Sequence, residues 1–378
     1  MTSLKNGKIS SADARIPAKG FAGFTLVELL VAMTIFLIVT AVVYGMLQIG
    51  RVDRNRASRR ADIMKNARIA VHMIGRDALN AGLGYHRKGA LAPDDFVSSH
   101  FGLPVDADTD RDLVTSIMAG NNRNPNSLNS DPLARTDVVT FCFRDMDFNS
   151  GNVINLTGVG PSPGNPSIPR LVASGSVGDL SRNDLLLVES DSSQVAIMVT
   201  SVSGNQFEAA PGDPLGLNQP LDGTGNNGSV LRKCRPPSGS PPVPDENCTP
   251  YISTTAKRFF IVGYSVRPDG TLVRTTYGNN RAGVAPADQI REQPIAYNVE
   301  DLQIKYVLAD GTVTDDPAAG PDGIAGTADD VIEQFNQIRQ ITVTLRVQAI
   351  ERDEQLGNPD SIEVTATFSA RNMQYDAG

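Results

Sequence analysis

Between Phe24 and Ile49 the chain reads FTLVELLVAMTIFLIVTAVVYGMLQI, 26 residues with one charge, Glu28. A run of about 20 apolar residues is long enough to cross a bilayer as a helix. A secretory signal peptide has an apolar core of only about 7–15 residues and a small-x-small cleavage site behind it. This run is longer, and the YGMLQIGR around its end offers no such site. A plain signal anchor accounts for the length but not for Glu28, because a carboxylate near the start of a spanning helix is costly and is usually functional. Ahead of the run, Lys5, Lys8, Arg15 and Lys19 outweigh Asp13, so residues 1–23 carry a net +3 and the remainder −11.

The helical pattern continues past the apolar run. Ile63, Ala67, Ala70, Ile74, Ala78 and Ala81 recur at steps of three and four, one face of a helix. A continuous helix from Phe24 to about Ala81 is expected, with Gly82 and Gly84 as its cap and turn. Its membrane half is 24–50 and its head-packed half 51–82. Arg51, Arg54, Arg56, Arg59, Arg60, Lys65 and Arg68, against Asp53 and Asp62, form a collar of net +5 just after the span. Its plain reading is a solvated face; the sharper one is contact with anionic lipid or acidic neighbours.

The whole chain has 378 residues, 40% hydrophobic and 20% charged, which excludes a wholly disordered or multi-span membrane chain. A net charge of −8 and a pI near 5.0 argue against a dedicated nucleic-acid binder. Three Cys, three His and no CxxC leave little material for a zinc site. Residues 83–378 read as a β-rich head. Strand-like runs occur at 137–144, 184–189, 194–202, 257–266, 271–277, 299–308, 338–349 and 362–370, many alternating and rich in Val, Ile, Thr and Phe. Arg267-Pro-Asp-Gly270 predicts a hairpin over 257–277. ITVTLRV at 341–347 alternates as a half-buried antiparallel strand does. Asn121–Ser130 and Pro211–Pro250 read as long loops, and 184–210 as an inserted β-subdomain.

Lys19-Gly-Phe-Ala-Gly23 followed by Phe24-Thr-Leu-Val-Glu28-Leu resembles the type IV prepilin signal. The resemblance implies a cut between Gly23 and Phe24 by prepilin peptidase, removal of the 1–23 leader, and N-methylation of Phe24. Glu28 becomes the assembly glutamate, paired in a filament with the Phe24 ammonium of a neighbour. The implied fold is α+β: a long N-terminal helix on a β-rich antiparallel head. The implied location is the inner membrane with the head outside the cytoplasm, then an extracellular pilus. The positive-inside rule applied to the Arg51–Arg68 collar alone gives the opposite orientation. Major pilins commonly carry a proline where this chain has Gly45, and none occurs between Pro17 and Pro93. The NARIA at 66–70 and IGRDALNAGLGY at 74–85 resemble PilW-type minor pilins instead. That likeness implies a low-copy subunit that primes or caps filament growth and contacts other minor pilins and the major pilin through its helix. A J-type minor pseudopilin of type II secretion and a pilus-tip adhesin are the alternatives.

Few residues carry catalytic signals. Gly223-Thr-Gly-Asn-Asn-Gly228 matches G-x-G-x-x-G but lacks the flanking strand and helix that dinucleotide binding requires, so it reads as a turn. There is no Walker A motif and no GxSxG, and His72, His86 and His100 are scattered, so no enzyme is expected. Three cysteine pairings are open; Cys234 with Cys248 is preferred because it is local and leaves Cys142 as a buried thiol in a strand. Asp106, Asp108, Asp110 and Asp112 have EF-hand-like spacing, but Arg111 and Ile117 stand where the loop requires Gly and Glu. The run from Asp315 to Glu333 resembles the calcium loop of major pseudopilins, with Asp322, Asp329 and Asp330 as expected calcium ligands.

Overall fold

The computed structural model describes residues 23–85, 89–103, 112–129, 131, 133–189, 194–220, 254–320, 332–352 and 359–373. Helix α1 spans Leu26–Asn80, and no proline interrupts it. The chain divides into two compact units, Met1–Ser58 and Arg59–Gly378. In the first, the apolar side chains from Phe24 to Ile49 are exposed.

In the second unit, the expected stripe is buried: Ile63, Ala67, Ala70, Ile74, Ala78 and Ala81, joined by Val71. Gly75 lies against the Phe368 ring, and a Cβ built there would sit 2.1–2.7 Å from ring atoms. Only a glycine lets the helix come this close. The helix stops where Gly82 turns left-handed, at φ 80°, and its N–H bonds the Cys142 carbonyl.

Strands β1 (Ala90–Leu91), β2 (Leu113–Val114), β3 (Ile117–Pro125) and β4 (Arg135–Arg144) follow, with a short helix α2 (Phe96–Phe101). Next come β5 (Ile154–Ser162), β6 (Asn165–Ala173), β7 (Leu185–Glu189), β8 (Gln194–Met198), β9 (Ser201–Ser203) and β10 (Gln206–Glu208). Strands β11 (Thr254–Val266), β12 (Leu272–Tyr277) and β13 (Ile290–Ala296) complete one large, mainly antiparallel sheet. The second sheet has the order β15-β14-β16-β17, from β14 (Val299–Leu308), β15 (Val313–Thr314), β16 (Ile338–Arg352) and β17 (Pro359–Ser369).

Strand β11 is shared along its length. Its first half pairs with β5 and β7, its second half with β4 and β12. The β11–β12 hairpin turns at Pro268–Gly270, as its sequence predicts. In β16, Ile341, Val343, Leu345 and Val347 are buried, while Thr342 and Thr344 on the other face meet Thr367 and Thr365 of β17. Alternation and burial therefore agree.

Other segments depart from expectation. Asn121–Ser130 is not simply a loop: β3 runs to Pro125 through an irregularity between Gly120 and Asn124, and Asn122 adopts φ 51°. Asparagine tolerates that conformation. Asn126 is buried and donates to the carbonyls of Val299 and Glu300, both at 2.8 Å. The described start of the 211–250 segment is also anchored: Asp213 accepts the amides of Leu215, Leu217 and Asn218. The β5–β6 hairpin is hidden in the sequence by its prolines and glycines. Together with β7, β8 and β10 it encloses a small core of Phe148, Leu171, Leu186, Ile197 and Phe207. The 184–210 strands thus share their core with 148–173 rather than standing alone.

Two buried carboxylates tie elements together. Asp77 on α1 accepts from the Tyr264 hydroxyl on β11 at 2.7 Å and from Arg274 Nε on β12 at 2.8 Å. Asp137 on β4 accepts the amides of Asn122 and Ile304, joining the large sheet to β14. Burial, opposed by those two amides, raises the Asp137 pKa to about 7. A carboxyl that holds its proton more tightly folded than unfolded adds stability below the unfolded pKa, near 4. That contribution falls away as pH rises through about 7. Asp137→Asn cannot ionise, so its stability relative to wild type should shift in the variant's favour as pH rises from 5 to 8. Urea melts of residues 59–378 at several pH values test this; a constant difference would give Asp137 an ordinary pKa.

Candidate functional site

The candidate site is the start of α1. Thr25 precedes the first helical residue, and Glu28 stands three positions later. The Thr25 N–H donates to Glu28 Oε2 at 3.0 Å, and the Glu28 N–H donates to Thr25 Oγ1 at 3.3 Å. This is a reciprocal capping box, which satisfies amides a helix start otherwise leaves unpaired. The T-x-x-E spacing was legible in the sequence and offers a local role for Glu28 that the resemblance alone does not. The Thr25 hydroxyl also donates to the carboxylate, at 2.9 Å.

Phe24 is 81% exposed, and a Cβ added at Gly23 would meet no atom within 4 Å. The bond between them is therefore unobstructed by the described chain. Beyond it, Thr34 and Thr40 return their hydroxyls to backbone carbonyls at 2.7–3.0 Å, so neither threonine leaves its donor unpaired. Glu28 is its only formal charge before Arg51. A helix apolar on every face needs lipid or other helices around it. By length and composition α1 is long and apolar enough to cross a membrane.

Residues 18–44 match the family model described as the prokaryotic N-terminal methylation motif. The N-terminus is type IV prepilin-like. The match spans both Gly23–Phe24 and Glu28. The match is confined to this N-terminal stretch, a motif of the kind that type IV pilins and pseudopilins carry, and among the described residues α1 is the one helix long and apolar enough to serve as a membrane anchor. No curated protein and no solved structure matches the chain.

The remaining candidates scatter. His72 is exposed on α1; His100 stacks on Phe96 of α2, and burial lowers its pKa. Cys142 is a fully buried free thiol in β4, with its pKa pushed up by that burial. Asp112 is turned inward and accepts the Val97 amide at 2.5 Å. Among the described residues, no group of three His, Cys, Asp or Glu is placed to hold a metal ion. Cys234, Cys248, Asp322, Asp329 and Asp330 lie outside the described residues, as do His86, the glycines at 223–228, the leader up to residue 22, and Asp106, Asp108 and Asp110.

Proposed function

We propose that the chain is a PilW-like minor pilin of a type IV pilus. Prepilin peptidase cuts between Gly23 and Phe24, Phe24 is N-methylated, and the subunit enters the filament at low copy to prime or cap its assembly near the tip. Its partners are the peptidase, the inner membrane, and other minor pilins and the major pilin through α1. The observation that carries this reading is an apolar run, exposed on all sides, whose one charge sits five residues past Gly23, at a Gly–Phe bond that nothing in the described chain obstructs.

Glu28 provides the test. Glu28→Val removes both the cap and the charge. Glu28→Gln keeps an acceptor for the capping box and removes only the charge. Both should be cleaved and methylated, and both should be depleted at least tenfold from sheared pili, since the buried charge needs its ammonium partner. Normal incorporation of Glu28→Gln would reduce Glu28 to a helix cap. The stoichiometry and position of the chain in purified filaments test the minor, tip-proximal role.

A second reading is a minor pseudopilin of type II secretion, whose system's major pseudopilins carry a calcium loop that the acidic segment between β14 and β16 resembles. Leu308 pairs with Ile338, so the two strands hold the ends of that segment together. Calcium held by Asp322, Asp329 and Asp330 would join them further. An ion that binds only the folded form stabilises it by about 2.7 kcal/mol at a hundredfold excess over its dissociation constant. Residues 59–378 should then melt higher in millimolar calcium than in chelator, and Asp329→Ala with Asp330→Ala should abolish the difference. Identical wild-type curves would remove calcium from the proposal. A bridge between Cys234 and Cys248 is proposed alongside it, to be read by mass before and after reduction.

A further inference from the structure

Between the end of the apolar run at Ile49 and the start of the second unit at Arg59, α1 carries Arg51, Asp53, Arg54 and Arg56. Arg51, Asp53 and Arg54 are exposed. Arg51 and Arg54 stand one turn apart on one side of the helix, and no carboxylate lies three or four residues from either. Asp53, two residues from the first and adjacent to the second, faces elsewhere, so the helix offers this pair no counter-charge. At 1.5 Å per residue the two arginines stand about 3 and 8 Å beyond Ile49. The headgroup layer outside a hydrocarbon core of about 30 Å is about 5–8 Å thick on each side. With the apolar run in the core, both guanidinium groups fall at the depth of the lipid phosphates.

We propose that Arg51 and Arg54 form a docking site for anionic phospholipid headgroups at the end of the span. A planar guanidinium meets a phosphate with two parallel N–H donors, a match that a lysine ammonium does not make. The arginine stem lies along apolar surface while its charged head reaches the interface. Each basic residue beside an anionic membrane surface strengthens the attraction by about fivefold. In the proposed orientation this stretch lies outside the cytoplasm, against the usual bias of Lys and Arg for the cytoplasmic side, and lipid phosphate supplies its counter-charge there. Position favours lipid over an acidic protein neighbour. The pair directly adjoins the exposed apolar run, so whatever bilayer surrounds Ile49 also brings headgroups to Arg51 and Arg54. The site holds this end of the span at the interface, and a subunit that leaves the bilayer for a filament must exchange those phosphates for other acceptors. The proposal rests on the reading of 24–50 as a membrane span.

The chain has no Trp, so Ile49→Trp introduces one fluorophore beside the site, at a position 64% exposed. The full chain carrying it is reconstituted in vesicles of phosphatidylcholine and phosphatidylglycerol in equal amounts, with bromine on the acyl chains of one lipid or of the other. Bromine quenches the indole on contact, so the two samples report which lipid lies beside residue 49. Quenching by the brominated phosphatidylglycerol should be the stronger, corresponding to a preference of at least threefold. Arg51→Gln with Arg54→Gln should bring that preference to one, and Asp53→Asn should raise it. Equal quenching by the two lipids would overturn the site and leave the span in place. A preference that survives in the double variant, or that Asp53→Asn lowers, would overturn it likewise. No quenching by either lipid would overturn the site together with the reading of 24–50 as a span.

Discussion

Asp77→Ala should destabilise the unit 59–378 by about 3–5 kcal/mol, the range for removing one partner of a buried ion pair. Asp77 is 1% exposed and serves elements from three parts of the chain: its own helix, β11 through Tyr264, and β12 through Arg274. Burial and the Asp77 charge both push the Tyr264 pKa up, so its hydroxyl stays a donor. Without the carboxylate, Arg274 is left largely buried beside α1 with no counter-charge, and Tyr264 retains only the Met73 carbonyl at 3.1 Å. Asp77→Asn should cost less, because it keeps an acceptor. Pairing Asp77→Ala with Arg274→Met should recover part of the loss by removing the stranded charge. Urea denaturation of the four proteins measures this. A single-variant cost within about 0.5 kcal/mol, the range of ordinary surface substitutions, would mean that Asp77 does not anchor the helix.

Gly23→Val should abolish processing. The proposed cut requires a peptidase to accept Gly23 beside the bond, and a branched side chain there blocks a site that takes a Cα without a Cβ. Nothing in the described chain opposes the substitution, since an added Cβ meets no atom within 4 Å. Loss of cleavage would therefore report on recognition rather than on folding. The variant should accumulate in the inner membrane as full-length precursor, while the wild-type chain begins at an N-methylated Phe24. Intact mass and N-terminal sequencing decide it. A wild-type start at any other residue, or normal cleavage of Gly23→Val, would refute the assignment.

Much of this molecule is local enough to be read without coordinates. The candidate membrane span follows from a long apolar run broken only by Glu28, the helix beyond it from three- and four-residue spacing, and its end from Gly82. The alternation of Leu302, Ile304 and Tyr306 in β14 and of Ile341, Val343, Leu345 and Val347 in β16 is legible because one face of each strand is dry and a pleated strand turns every second side chain toward it. The prepilin-like start is a short linear motif, legible because it is read as sequence. The T-x-x-E box was equally local.

The tertiary structure decided what depends on residues far apart in the chain. Nothing around Asp77 announces that Tyr264 and Arg274 will close on it, and nothing around Gly75 announces the Phe368 ring. The β5–β6 hairpin was obscured because proline and glycine usually mark loops, yet β11 supplies β5 with a partner. The asparagines of 121–126 looked like loop residues because their hydrogen-bonding partners, at Asp137, Val299 and Glu300, lie far away in sequence. Periodicity and motifs are properties of neighbouring residues and survive in one dimension. Buried pairing is a property of which distant segments share a core, and only folding brings those segments together.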